Sequence, residues 1–184
     1  SGEPEAAAAM RRPYLVLDVF TARRFAGNPL AVLPLADGLE PRVMQAIAAE
    51  LNLSETVFVT APEDPGHLAR LRIFTPRAEL PFAGHPTVGA ALALARLGRV
   101  TCGNGAARFV LGEAAGAVPV TVTFRGGAAV RAEFQAPRPP AVGAALDAAR
   151  CAALLGLGEA AIVRRLGLPA VISCGTSFLA IEVR

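Results

Sequence analysis

The amino-acid sequence predicts an α+β fold in which strands outnumber helices and one helix is enclosed by protein. Hydrophobic residues make up 53% of the chain and charged residues 18%, which is typical of a folded protein and not of a disordered one. Residues 88–97 have a helical pattern that is apolar almost all round, and such a helix has to be covered on every side. Short runs of Val, Leu, Ile, Thr and aromatic residues, bounded by Gly and Pro, predict the strands.

The first part of the chain alternates strand and helix signals. Pro41 opens an amphipathic helix that ends near Asn52, because apolar residues recur there at helical spacing. In residues 68–74, Leu71 and Ile73 are predicted on the buried face, with Phe74 on the opposite face beside two arginines. The strands predicted in this part cover residues 14–20, 30–33, 55–59 and 68–74.

The enclosed helix follows, and Pro86 is predicted as its first residue because proline lacks the N–H that a helix start leaves unbonded. Gly98 is expected to end it. Two further strands are predicted at residues 118–124 and 128–134, and another helix at residues 144–155. A hairpin made of residues 170–174 and 178–183, turning at Gly175-Thr176-Ser177, closes the chain.

Three prolines within residues 136–143 predict a linker between domains. The first domain is expected at residues 13–135, and residues 144–184 are expected to be the incomplete beginning of a second, similar domain, because the final hairpin echoes the first one. One helix and one hairpin are too few to enclose a core. We therefore expect a homodimer, or a second chain that supplies the missing half. The apolar residues expected to be left partly exposed are Leu154, Leu155, Leu157, Ile162, Val171, Ile172, Phe178 and Ile181.

Composition argues against several classes of protein. The net charge is +3, and the basic residues are scattered arginines without interleaved aromatics, so no nucleic-acid partner is expected. No apolar run is long enough for a membrane span, and the first residues lack a signal-peptide pattern, so the expected location is cytoplasmic. Three widely spaced cysteines predict neither a disulfide framework nor a metal site.

Four stretches occur in the order found in one known family. They are Asp18-Val19-Phe20-Thr21, Phe25-Ala26-Gly27-Asn28-Pro29, Leu53-Ser54-Glu55-Thr56-Val57-Phe58, and Phe74-Thr75-Pro76 running through Glu79 to Gly84-His85-Pro86-Thr87-Val88-Gly89. Together they resemble the PhzF-like family of phenazine biosynthesis, which includes dihydro-hydroxyanthranilate isomerase. The resemblance implies the fold of diaminopimelate epimerase, with two similar domains that are each a β-barrel wrapped around a central helix.

The resemblance also implies a cofactor-independent isomerase that shuttles a proton on a small carboxylated, cyclic substrate. Glu55 aligns with the family's acid/base glutamate, and burial beside apolar neighbours would raise the pKa of its carboxyl toward that task. His85 aligns with a substrate-binding histidine. The helix start at Gly84 and Thr87 offers amides for an anion, and Ser54 positions Glu55 or contacts substrate. Asn28 is expected only to shape a turn.

Two alternatives stay open from the sequence. Cys102-Gly103-Asn104-Gly105 is similar to the cysteine loop of diaminopimelate epimerase, which would make the protein a thiol-dependent amino-acid epimerase. Its place after the enclosed helix, and not before it, argues against that role. The other alternative is a truncated binding or assembly module, since the family's second half carries an Asp that faces the catalytic Glu. We expect that Asp to come from outside these 184 residues.

Overall fold

A computed structural model describes residues 11–165, 167–174 and 177–184. Contacts divide the chain into two units, one up to Pro137 and one from Arg138 onward. No helix within the described residues is both long and apolar enough to cross a membrane.

The first unit is a mixed sheet wrapped around one helix. Neighbouring strands follow the order β1-β2-β3-β4-β6-β7-β8, and β5 pairs with β4. The β2–β3 and β4–β6 pairs are parallel, and the other pairs are antiparallel. The strands are β1 Leu15–Val19, β2 Asn28–Leu33, β3 Glu55–Thr60, β4 Ala69–Phe74, β5 Glu79–Leu80, β6 Ala106–Glu113, β7 Gly116–Arg125 and β8 Ala128–Phe134.

The enclosed helix is confirmed as α2, Gly84–Arg96, and nine of its residues are buried. It begins at Gly84, so the prediction that Pro86 comes first is wrong. Pro86 is tolerated two positions later because none of the first amides of a helix has an intrahelical acceptor. A Cβ atom at Gly89 would lie 2.4 Å from Leu30 Cδ2, so glycine lets the helix approach β2 closely.

The outer face of the sheet carries a second helix, α1, Pro41–Leu51. Met44 and Ala48 of this helix pack against Phe58 and Phe74. The two phenylalanine rings meet edge to face with centroids 5.4 Å apart. The prediction that Phe74 is on the exposed face is therefore wrong, because α1 covers that face as well.

Strand β6 was not predicted, although it pairs along its whole length with β7. Its Ala, Arg and Gly residues dilute the strand signal, and its place in the sheet comes from its partners β4 and β7.

The second unit contains a three-stranded sheet in the order β11-β10-β9. Its elements are β9 Ala141–Ala145, α3 Ala148–Leu154, a 3₁₀ turn Glu159–Ala161, β10 Ala170–Ser173 and β11 Ser177–Ala180. The helix predicted from residue 144 begins only after Asp147, whose side chain accepts a hydrogen bond from the amide of Arg150. The predicted final hairpin is present as β10 and β11, whereas Gly175 and Thr176 lie outside the described residues.

Apolar side chains are exposed on this second unit. Leu154 is 76% exposed and Phe178 67%. The other predicted residues with high exposure are Leu155, Leu157 and Val171. Ile162 is buried with Ala148 and Ala152, so its predicted exposure is wrong, and Ile181 packs partly against the same cluster.

Candidate active site

Three elements of the first unit begin at one edge of the sheet. Strand β2 starts at Asn28 and β3 at Glu55, and because the two run parallel with Leu30 opposite Glu55, their starts lie side by side. Helix α2 brings His85, its second residue, to the same place. The tight turn before β2 requires Gly27, since a Cβ there would lie 2.4 Å from the carbonyl oxygen of Val19.

Glu55 and His85 form the centre of this site. The Nε2 atom of His85 lies 3.1 Å from Oε2 of Glu55, and their side chains are 10% and 17% exposed respectively. Within the described residues, neither atom has a hydrogen bond of good geometry. The two groups are thus held together and largely out of water, but the angle between them is not that of a hydrogen bond.

Burial brings the pKa values of the two groups closer together. It raises the pKa of the Glu55 carboxyl above its ordinary value. It lowers the pKa of the His85 imidazole, an effect that the carbonyl of Pro29 partly offsets. The pair is therefore biased toward its uncharged forms, a carboxylic acid and a neutral ring.

Asn28 is a site residue that the sequence reasoning missed. Its Nδ2 atom lies 3.3 Å from Nδ1 of His85, on the side of the ring away from Glu55. The prediction that Asn28 only shapes a turn is wrong in this respect. The Gly-Asn-Pro stretch carried the available signal, because it belongs to one of the four stretches that resemble the family.

The start of α2 has no side-chain cap on its amides. Ala83 is the N-cap and makes no side-chain capping bond. Among the described residues, no side chain accepts a hydrogen bond from the amide of Gly84 or His85. Free amides and the positive end of the helix dipole attract anions, so this end can bind a carboxylate beside His85.

A second buried carboxyl, Glu113, lies behind the start of α2. Its Oε1 atom is 2.6 Å from Oγ1 of Thr87, which is also 2.7 Å from the carbonyl oxygen of Ala83. Burial raises the pKa of Glu113 to about 7, although hydrogen bonds from Thr87 and from the backbone at Ala83 lower it in part. No sequence signal pointed to Glu113, because its neighbours come from distant parts of the chain.

Not every predicted site residue lies at the pair. The Thr87 hydroxyl is buried and already bonded to Glu113 or Ala83. A substrate contact by its side chain stays a prediction, and these two bonds compete with it. Ser54 is exposed just before β3 and makes no side-chain hydrogen bond to another described residue. Gly84 begins the helix directly before His85.

Cys102 lies at the other end of the unit. It is exposed, and it precedes β6, whose last residue, Glu113, reaches Thr87 near the start of α2. A strand of that length spans roughly 20 Å, which separates the cysteine loop from the histidine.

A cavity of about 360 Å³ lies between β1, α2 and β8. Phe20 lines this cavity, and its ring lies 6.5 Å from that of His85, so the cavity adjoins the Glu55–His85 pair.

Within the described residues, no cluster of three or more His, Cys, Asp or Glu side chains has a geometry that could hold an ion. The groups at this site are a carboxyl and an imidazole, which can exchange protons, and backbone amides, which donate hydrogen bonds.

Comparison with known proteins decides the family. Residues 17–184 match the PhzC-PhzF family of phenazine biosynthesis-like proteins. The chain belongs to that family. An uncharacterized isomerase of Mesorhizobium japonicum is 52% identical in an alignment of 148 residues that covers 75% of this chain and 48% of that protein. Trans-2,3-dihydro-3-hydroxyanthranilate isomerase of Pseudomonas aeruginosa is 43% identical over 126 residues, covering 68% of this chain and 43% of that enzyme.

Solved structures agree with the fold that the PhzF resemblance implies. A predicted epimerase from Pseudomonas aeruginosa superposes with a TM-score of 0.79 at 34% identity, covering 94% of this chain and 60% of that one. A hydroxyproline epimerase from Agrobacterium vitis, at 13% identity and a TM-score of 0.64, shares the fold alone. The predicted diaminopimelate-epimerase-like α+β fold is confirmed. This PhzF-family chain spans about half the length of the curated relatives it matches.

Proposed function

We propose that the protein is a cofactor-independent isomerase that moves a proton between two carbons of a small, carboxylated, cyclic substrate. The observation that carries the proposal is the pairing of Glu55 with His85 at 3.1 Å beside the uncapped start of α2. The membership of the family and the names of its isomerase members support the reaction class.

Glu55 is the acid/base group of the proposed reaction. Its carboxylate takes a proton from a substrate carbon, and the electron pair of that C–H bond enters the conjugated system of the substrate. The double bonds shift, and the carboxylic acid so formed returns its proton to another carbon. The raised pKa of Glu55 suits this cycle, because a group that first accepts and then donates works best with a pKa near the working pH.

The start of α2 binds the substrate in this proposal. The amides of Gly84 and His85 donate hydrogen bonds to its carboxylate, as the amides at helix starts do to anions. The His85 ring, kept neutral by burial, stabilises charge that develops on the substrate while Glu55 holds the proton. Completion of the site by an Asp from outside this chain, on a second chain or a further segment, is part of the proposal.

Proton exchange in D₂O tests the reaction directly. The protein at its natural length is incubated with trans-2,3-dihydro-3-hydroxyanthranilate first, and then with a panel of other cyclic unsaturated carboxylates, and NMR follows isomerisation and deuterium uptake at carbon. Glu55→Gln should lower turnover by about 10²–10⁴-fold while ligand binding is kept. Glu50→Gln, an exposed glutamate of α1, is the matched control and should be unchanged.

If the turnover of Glu55→Gln stays within a few-fold of the unsubstituted protein, Glu55 is not the acid/base group. Binding of these carboxylates with no exchange or isomerisation in any of them would instead favour the binding-module alternative.

A further inference from the structure

The second nitrogen of the His85 ring faces an amide group. Nδ2 of Asn28 lies 3.3 Å from Nδ1 of His85, while Nε2 of the same ring faces Glu55 at 3.1 Å. Asn28 itself is held by strand pairing, because it lies opposite Val19 in the β1–β2 ladder. The ring is thus contacted at both nitrogens, by an amide on one side and by a carboxyl on the other.

The amide nitrogen of asparagine can only donate a hydrogen bond. For Nδ1 to accept that bond it must carry no proton, and in a neutral imidazole the proton is then on Nε2. The neutral ring is the favoured form here, since burial lowers the pKa of His85. In this arrangement the N–H of the ring is directed to the Glu55 side.

We propose that Asn28 is a positioning residue that fixes neutral His85 as the Nε2–H tautomer. Its consequence for catalysis depends on the proposed function, but the tautomer itself does not. With Asn28 in place, His85 offers a donor to the Glu55 carboxylate before the reaction. Once Glu55 has taken the substrate proton, two donors face each other, so the carboxylic acid has no acceptor at His85 and returns its proton to the substrate.

The carbonyl of Pro29 is a further group that interacts with the ring. The carbonyl of Pro29 raises the pKa of His85, which means that it interacts favourably with a ring N–H. A dominant proton on Nδ1 would mean that a hydrogen-bond acceptor determines the tautomer of the ring. That acceptor would be the Pro29 carbonyl, or the oxygen of an Asn28 amide in the reversed orientation. The experiment therefore has to report which nitrogen carries the proton.

Nitrogen NMR of the histidine rings gives that answer. The sequence contains two histidines, so ¹⁵N-histidine labelling yields two ring systems, and His85→Gln assigns them. His67, whose Nε2 lies 3.9 Å from Oδ2 of Asp64, serves as the internal reference. At about pH 8, where an unperturbed histidine is neutral, we expect Nε2 of His85 to show a bound proton and Nδ1 to show the downfield shift of a nitrogen without one.

Two substitutions at residue 28 test the cause. Asn28→Asp replaces a donor by a carboxylate acceptor, so it should move the proton to Nδ1 and raise the pKa of His85 by about one to three pH units. Asn28→Ala should leave both tautomers populated. Asn104→Asp, a charge-matched change in the exposed loop before β6, should leave both His85 signals unchanged. Amide spectra show that each variant is folded.

A ring proton on Nδ1 in the unsubstituted protein, or an unchanged tautomer in Asn28→Asp, would overturn the inference. In the exchange assay, Asn28→Ala should lower kcat on the order of ten- to a hundredfold with a smaller change in KM, by analogy with the loss of the partner that orients a metal-binding histidine. Failure of Glu55→Gln to affect turnover counts against the proposed reaction only, whereas the NMR result concerns Asn28 in either case.

Discussion

His85 and Glu55 face each other at 3.1 Å, and yet Nε2 and Oε2 are both without a well-formed hydrogen bond among the described residues. Buried polar atoms are normally bonded, and a catalytic role is one of the reasons for an exception. The shifted pKa values of both groups come from the same cause, because the surroundings disfavour charge on either side chain.

Ionisation of Glu55 should consequently reduce stability at neutral pH. The raised pKa of Glu55 means that its contribution to folding free energy declines as pH rises above 4.5, its ordinary value. The lowered pKa of His85 means that its contribution declines as pH falls through 6.5. Glu55→Gln removes the first penalty, so we expect a higher urea midpoint than that of the unsubstituted protein near pH 7. A lower midpoint would show that the Glu55 carboxylate stabilises the fold.

Glu113 should make stability depend on pH more strongly. Its pKa rises from 4.5 to about 7 on folding, so the folded state binds a proton that the unfolded state has lost. Stability from this group is fully present below about pH 4.5 and declines by about 3 kcal/mol as pH rises to about 7. Glu113→Gln keeps a group that bonds Thr87 but cannot ionise.

The measurement for Glu113 is urea unfolding at about pH 5 and about pH 8. Glu113→Gln should match the unsubstituted protein at the lower pH and exceed it at the higher one. Glu50→Gln, exposed on α1, provides the control for a lost negative charge. Equal pH dependence in all three proteins would mean that Glu113 is ionised at little cost.

Gly89 should not tolerate a methyl group. In an exposed helix, Gly→Ala stabilises by about 1 kcal/mol, but here the added Cβ would lie 2.4 Å from Leu30 Cδ2 and 2.9 Å from Val19 Cγ2. We expect Gly89→Ala to destabilise by about 1–3 kcal/mol through overpacking. A double-mutant cycle with Leu30→Ala checks the cause, since the pair should be less destabilised than the sum of the single changes.

Cys102 should be dispensable for turnover. It is exposed in the loop before β6, roughly 20 Å of strand away from the Glu55–His85 pair. Cys102→Ser should keep exchange activity within a few-fold. Loss of turnover by 10²-fold or more, with an unchanged circular dichroism spectrum, would favour the thiol-dependent epimerase instead.

The second unit should associate through its apolar surface. Leu154 and Phe178 are largely exposed there, and a three-stranded sheet with a short helix buries few side chains. Light scattering on the 184-residue chain should report a dimer or larger species, and Leu154→Ser combined with Phe178→Ser should shift it toward monomer. Leu35→Ser, an exposed leucine of the first unit, is the control. A stable monomer with cooperative unfolding would contradict the expectation.

The sequence sufficed for the elements whose own pattern is strong. The apolar helix, the strand at Glu55 and the final hairpin follow from periodicity and flanking residues, and the family motifs pointed to Glu55 and His85. Strands β6 and β9 were missed because alanine and glycine give little local preference, so partner strands decide their conformation.

Site residues whose role depends on contacts distant in sequence could also not be predicted from the sequence. The Gly-Asn-Pro turn is a sufficient local explanation for Asn28. Its contact with His85, which follows 57 residues later in the sequence, becomes apparent only in the folded structure. Glu113 ends an ordinary strand, and nothing in its own neighbourhood predicts that Thr87 will lie against it.

The common edge at which β2, β3 and α2 begin has a consequence for the order of events in folding. Parallel pairing of β2 with β3 has to close the loop that contains α1, and α2 must then dock on both strands. Contacts between distant segments are slow to form, because the entropy of loop closure is lost before any packing compensates for it. A refolding chain should therefore regain its helices before it can bind a carboxylate, and partly folded forms should be catalytically silent.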